Sequence, residues 1–331
     1  MDAFSAHSGS CIQKLQMMIL ENRSLRVVVL PEAGGKIWQI TYKPLQADLL
    51  WQSPAVPPAV HSLHTSYDDN WSGGWDELFP NDEACSLMGL NLPDHGELWT
   101  GKWHSMQCGT NALKLQFVTP ITQFIAEKEI TLQDESHLLK VRYKLTNMSS
   151  QSLPFLWKLH PAFAVTAAHR IDFPPMKVVR EIDFPGTLEN APPVFSWPYA
   201  SLGDHLLDLR QVPDASSQAL HFFYGTEYAN GWCGVTDREK KLAAALRFDP
   251  KVFSSCWLFA THGGWRGLNV AVLEPATGYP FQMQKLIANG QARTLPAGQS
   301  LETEVTFSVQ QGLHSIGGIN ADGTIIPGDE A

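Results

Sequence analysis

The chain has 331 residues, 44% of them hydrophobic and 17% charged, with a formal net charge of -9. That is enough chain for one large core or two smaller ones, and too apolar to be disordered. The acidic balance, without any run of lysines and arginines, argues against a nucleic-acid partner.

The five cysteines (Cys11, Cys85, Cys108, Cys233 and Cys256) are scattered and form no Cys-x-x-Cys pair. A disulfide framework or a cysteine zinc site is therefore not expected, and a reducing compartment is. The opening "MDAFSAHSGSCIQKLQMMIL" lacks a basic start followed by an apolar run. No stretch reaches the about 18 apolar residues of a membrane span. The expected location is the cytoplasm.

In chain order, "LRVVVL" (Leu25 to Leu30) predicts a strand buried on both faces. "HSLH" (His61 to His64) sets two histidines three apart but implies no third metal ligand. In "WSGGWDELFPND" (Trp71 to Asp82), Gly73 and Gly74 allow a tight turn or a close backbone approach to a ligand. Asp76 and Glu77 point to opposite faces if extended, so at most one reaches a ligand.

"NLPDHGELW" (Asn91 to Trp99) has the H-x-E spacing of His95 and Glu97, but not the P-C-x-x-C of zinc deaminases. H-E-x-x-H is also missing, so no metal is expected. If this stretch is extended, His95, Glu97 and Trp99 share one face and Asp94 lies on the other.

"ALKLQFV" and "LLKVRYKLTN" alternate apolar and polar residues, as half-buried strands do. In "FLWKLHPAF" (Phe155 to Phe163), Pro161 holds His160 extended. That histidine reads either as a core residue satisfied by backbone or as one whose charge switches near neutral pH. The Pro-rich segment from Ile171 to Pro213 is a linker or, given its Phe, Val and Trp, a long folded excursion.

In "VAVLEPATGYP" (Val270 to Pro280), Glu274 ends an apolar strand. It is either a solvated strand-end carboxylate or one in a cleft, where desolvation raises its pKa toward that of a useful base. "LETEVTFSV" closes the strand series, and residues 313–331 read as a loose tail. No G-x-S-x-G elbow supports serine catalysis.

Turn signals punctuate the runs and long helical periodicity is scarce. The predicted class is all-β, a large antiparallel β-sandwich in one domain with its core over about residues 12–312. Of the 11 tryptophans, Trp71, Trp75, Trp99, Trp103 and Trp265 sit beside Gly, Asp or His, where an indole face can stack on a sugar.

Taken in order, these segments resemble the aldose 1-epimerase (galactose mutarotase-like) family. The likeness starts at Leu20 to Trp51. It runs through "GGWDELFPN", "PDHGELW", "LWKLHPAF" and "LEPATGYP", and closes with "RTLPAGQSLETEVTFSV". The resemblance implies a mutarotase-like supersandwich that binds a monosaccharide or modified sugar without a cofactor and interconverts its α and β anomers. By motif, His160 matches the histidine that protonates the ring oxygen, and Glu274 the base that takes the anomeric proton. His95 matches a second, sugar-contacting histidine. An environment that keeps His160 protonated and Glu274 ionised would assign these roles.

The chain departs from the family pattern at two points. Ser72 stands where related mutarotases often carry an Arg, and the family's substrate-binding Asp has no match. The nearest segment is "ALHFFYG", with His221. Trp71, Trp75, Asp76, His221 and Arg266 are therefore expected to share in reading the sugar.

Two alternatives stay open: a non-catalytic carbohydrate-binding protein, and an epimerase acting at another carbon or on a sugar phosphate. A sugar phosphate would require convergence of basic residues such as Lys102, Arg170, Lys177 and Arg266. Oligomeric state is not legible from the sequence.

Overall fold

The computed structural model describes residues 15–329 except 110, 134, 135 and 185, so Cys11 lies outside the described residues. Period-two alternation becomes strands wherever it was read. Leu138–Asn147 buries Leu139, Val141, Tyr143 and Leu145, and Ala112–Val118 buries Leu113 and Leu115. Val305, Phe307 and Val309 do the same in Ser300–Gln311.

Two large sheets face each other, and their strand pairs are antiparallel. The eight-stranded sheet runs His169–Asp172, Gly231–Asp237, Leu242–Phe248, Ser300–Gln311, Leu138–Asn147, Phe124–Leu132, Ala112–Val118 and His104–Gln107. The eleven-stranded sheet has Trp75–Leu78, Lys158–Phe163, Asn269–Ala276, Ser255–His262 and Ala219–Thr226 as neighbours in its middle. No helix among the described residues is long and apolar enough to cross a membrane.

The middle strands are buried on both faces, which is why Lys158–Phe163 and Asn269–Ala276 carry almost unbroken burial. Leu159, Phe163, Ala271, Leu273, Leu258 and Phe223 point into the main core between the sheets. On the opposite face, Ala162, Val270, Val272 and Leu78 join Tyr67, Trp71 and Trp99 in a separate cluster. That outer face, roofed by loops, is where the polar side chains gather.

Two sequence expectations change here. The C-terminal segment is no loose tail. Ile316–Ile319 and Ile325–Pro327 form a hairpin, and Leu313, Ile316 and Ile325 are buried against Trp232 and Ala243. Its many glycines hid the few large apolar residues that anchor it. Within the Pro-rich segment, Leu188, Ala191, Ala200, Leu209 and Val212 are buried in the main core, so it is a folded excursion.

Gly73 gives up its side chain to the protein's own backbone, not to a ligand. Its φ is +87°, and a Cβ there would come within 2.3 Å of the Trp51 carbonyl oxygen.

Candidate active site

Strand register assembles the centre of the site. His160 pairs with Asp76, Lys158 with Ala276 and Ala162 with Val272, so His160 falls level with Glu274. The two-residue period puts Lys158 and His160 on the same face. Lys158 Nζ lies 2.8 Å from Glu274 Oε2 and 2.6 Å from Asp82 Oδ1, and His160 Nε2 lies 3.9 Å from Glu274 Oε2. The ammonium also sits 4.4 Å above the Trp257 ring.

Loops add the rest. The short helix Tyr67–Asn70 delivers Tyr67, whose hydroxyl donates to Asp76 Oδ2 at 3.0 Å and contacts His160 Nδ1 at 3.2 Å. Lys36 pairs with the same Asp76 oxygen at 3.1 Å. A phenol has one proton, and Tyr67 spends it on Asp76. Its oxygen therefore accepts from His160 Nδ1–H, which leaves Nε2 of the neutral ring as a bare acceptor facing the cavity.

The "PDHGE" loop is not extended. His95 takes φ +57° and Gly96 φ +76°, while Glu97 N donates to the Phe79 carbonyl at 2.7 Å. A Cβ on Gly96 would sit 2.1 Å from Phe79 O. The left-handed turn swings Asp94 and His95 together into the cavity, contrary to the opposite faces expected of a strand. His95 Nδ1 lies 2.8 Å from Asp94 Oδ1, and Nε2 lies 3.6 Å from Asp82 Oδ1. Tyr67 stacks on the His95 ring at 4.2 Å, with 15° between planes.

Glu97 turns away. Its carboxylate is buried and accepts from Ile121 N at 2.6 Å, Thr122 N at 3.2 Å and Thr122 Oγ1 at 2.6 Å. It holds a turn and has no part in the cavity. Trp99 stands behind Tyr67, edge-on at 4.9 Å.

The cavity is open to solvent on one side and measures about 240 Å³, below the ~300–1,000 Å³ typical of pockets for drug-sized ligands, and is of a size for a single sugar ring. Lys158, His160, Glu274, His95, Asp82 and Asp94 form one wall.

Its electrostatics separate the two histidines. Burial pushes His160 well below the usual imidazole range, and the charges of Lys158, His95 and Lys36 push the same way. Burial also opposes charging of His95, but Asp82 and Asp94 outweigh it and raise that pKa. Burial raises the Glu274 carboxyl, partly offset by Lys158. The environment expected to favour a protonated His160 is therefore found at His95, which faces two carboxylates at close range, while His160 is shifted the other way.

No family model matches the chain. Among solved structures, a galactose mutarotase-related enzyme from Lactobacillus acidophilus superposes with a TM-score of 0.66 at 13% identity, over 89% of this chain and 98% of its own. A galactose mutarotase-like protein from Lactobacillus casei gives 0.62 at 16%, over 89% and 100%. Another from Clostridium acetobutylicum gives 0.63 at 12%, over 90% and 96%. The fold is galactose mutarotase-like.

Within this mutarotase-like fold the sequence-predicted residues divide. His160, Glu274, His95 and Trp71 line one cavity. Asp76 does not reach it: it stands behind the cavity, fully buried, and accepts from the Tyr67 hydroxyl. Three expectations are corrected. Trp75 faces the inter-sheet core, fully buried, 6.3 Å from the Phe307 ring. His221 shares the core-facing side of its strand with Phe223, whereas Phe222 faces the cavity. Arg266 is half-exposed outside the lining and pairs with Asp69 at 2.8 Å.

Sequence reasoning missed Lys158, Tyr67 and Asp82. Lys158 had a signal: it precedes His160 by two, the spacing that shares a strand face. Tyr67 starts a single-turn helix and Asp82 lies in a loop, and neither element is long enough for a period to mark them.

Proposed function

We propose that this protein interconverts the α and β anomers of an aldose by acid/base opening and reclosing of the sugar ring. The observation that carries the reading is one buried carboxylate, Glu274, held beside an ammonium and two unlike histidines in a cavity of single-sugar size.

Ring opening removes the proton of the anomeric hydroxyl and adds one to the ring oxygen. Glu274, raised toward working pH by burial, is the base. Lys158 holds its ionised form in place. His95 is the acid: Asp94 and Asp82 keep it charged, and its Nε2 is 3.6 Å from Asp82, too long for a hydrogen bond and free to turn to a sugar oxygen. His160, neutral, accepts a substrate hydroxyl at Nε2 and orients the ring. This reverses the role that the family resemblance gives it. Once the aldehyde turns about its C1–C2 bond, the hydroxyl oxygen attacks C1 and gives its proton back to His95, while Glu274 returns its proton to the former carbonyl oxygen, so the ring recloses and both groups are restored.

Polarimetry on freshly dissolved anomers of a broad set of aldoses tests the proposal. Mutarotation faster than in protein-free buffer, saturating with sugar, is expected for at least one of them. Saturable quenching of tryptophan fluorescence with no acceleration for any sugar would replace it with the non-catalytic carbohydrate-binding reading.

A further inference from the structure

The cavity is polar at one end and aromatic at the other. The polar end rests on Lys158–Phe163 and Asn269–Ala276. The next strands across the sheet, Ser255–His262 and Ala219–Thr226, contribute Phe259 and Phe222. Loops add Phe184, Trp265 and Phe281. Phe222 touches Phe184, Phe259 and Phe281 at centroid distances of 5.8, 5.7 and 6.3 Å. Of these five side chains only Trp265 carries a polar atom. A hydroxyl buried against that wall gives up its water without gaining a partner.

Carboxylates outnumber cations at the cavity. Asp68 and Glu83 line it, and neither lies within ion-pair distance of a cation among the described residues. The basic side chains nearby are engaged elsewhere: Arg266 with Asp69, Lys285 with Asp183, and Lys158 between Asp82 and Glu274. Lys102, Arg170 and Lys177 pair with Glu32, Asp172 and Glu227, so the convergence that a sugar phosphate needs does not form.

Resting on the anomer-exchange reading, we propose that the substrate is an unphosphorylated deoxy sugar. Its free anomeric hydroxyl lies at Glu274 and its deoxygenated carbon against Phe222 and Phe259, and phosphorylated or carboxylated sugars are rejected.

Saturation-transfer NMR of anomer exchange on matched sugars tests this: 6-deoxygalactose against galactose, 6-deoxyglucose against glucose, then glucose 6-phosphate and glucuronate. The 6-deoxy member of each pair is expected to lead in kcat/KM by roughly 10- to 100-fold, the scale of one group in an apolar pocket, with the anionic sugars slowest. Phe259→Asn is expected to shrink the deoxy preference, and Asp68→Asn with Glu83→Gln to raise the phosphate-to-deoxy rate ratio. Tryptophan fluorescence, reporting from Trp71 and Trp265, is expected to give the same order for binding.

Parent hexoses or 6-phosphates exchanged as fast as the 6-deoxy sugars would overturn this inference and leave the exchange reading standing. Binding in the deoxy-first order without exchange would overturn catalysis and leave the ligand class standing. Neither binding nor exchange with any sugar would overturn both.

Discussion

His160 and His95 share one cavity yet shift in opposite directions, and this shapes the pH dependence. In the proposed mechanism the base must be ionised, so activity is expected to be lost as pH falls through the Glu274 pKa, which lies above the ordinary 4.5. The proposed acid must hold its proton, so activity is expected to be lost as pH rises through the His95 pKa, which lies above 6.5. A bell-shaped profile of kcat/KM is expected. Lys158→Met, by removing the cation that favours ionised Glu274, is expected to move the acid limb to higher pH. An unmoved acid limb would contradict that role.

Tyr67→Phe leaves His160 Nδ1 without its acceptor, and about a tenfold fall in kcat is expected. Steady-state kinetics would check it.

His221 belongs to stability, not to the site. Burial, with a smaller contribution from His262, lowers its pKa to about 4. A folded pKa below the unfolded value means that the unfolded chain binds the proton first as pH falls. Stability is therefore retained above about pH 6.5 and lost between there and about pH 4, by roughly 3 kcal/mol at ~1.36 kcal/mol per unit. Urea unfolding of His221→Leu at pH 7 and pH 4.5 is expected to show a smaller acid loss than wild type.

At the scale of elements, the strand Trp75–Leu78 joins the site to the core. Asp76 faces outward and anchors Tyr67, while Glu77 faces inward and ties the two sheets. Glu77 accepts from Lys128 Nζ at 2.6 Å and from the Tyr143 hydroxyl at 2.7 Å, both on the opposite sheet and both buried. Lys128 also donates to the Gly35 carbonyl at 2.7 Å. Removing one partner strands a buried charge, so Lys128→Met is expected to destabilise by about 3–5 kcal/mol. Lys128→Met combined with Glu77→Leu is expected to recover part of the loss in denaturant unfolding.

The two-residue period made it legible that Asp76 and Glu77 diverge. Which of them faced the core depended on the register with Lys158–Phe163, a long-range pairing that no local pattern encodes. Neither of them lines the cavity.

At the scale of the molecule, the sandwich was legible because half-buried strands write their burial into the sequence, as Leu139, Val141, Tyr143 and Leu145 do. The site was legible in part. His160 and Glu274 sit on strands whose apolar runs stand out, and Lys158 shares their spacing logic. His95 was visible as a residue type, but its left-handed backbone and its partner Asp82 were not. Tyr67 and the aromatic wall come from segments far apart in the chain, joined only by the closed fold.

The central claim is that Glu274 moves a proton at an anomeric carbon. The most direct measurement is the exchange rate between α and β anomeric protons, by saturation-transfer NMR, for wild type and Glu274→Gln at the wild-type pH optimum. Sugar binding is followed in parallel by tryptophan fluorescence. The account predicts wild-type exchange well above buffer and a fall of about 10²–10⁴-fold in the variant, with binding retained. Equal exchange in both proteins, or wild-type exchange no faster than buffer, would contradict it.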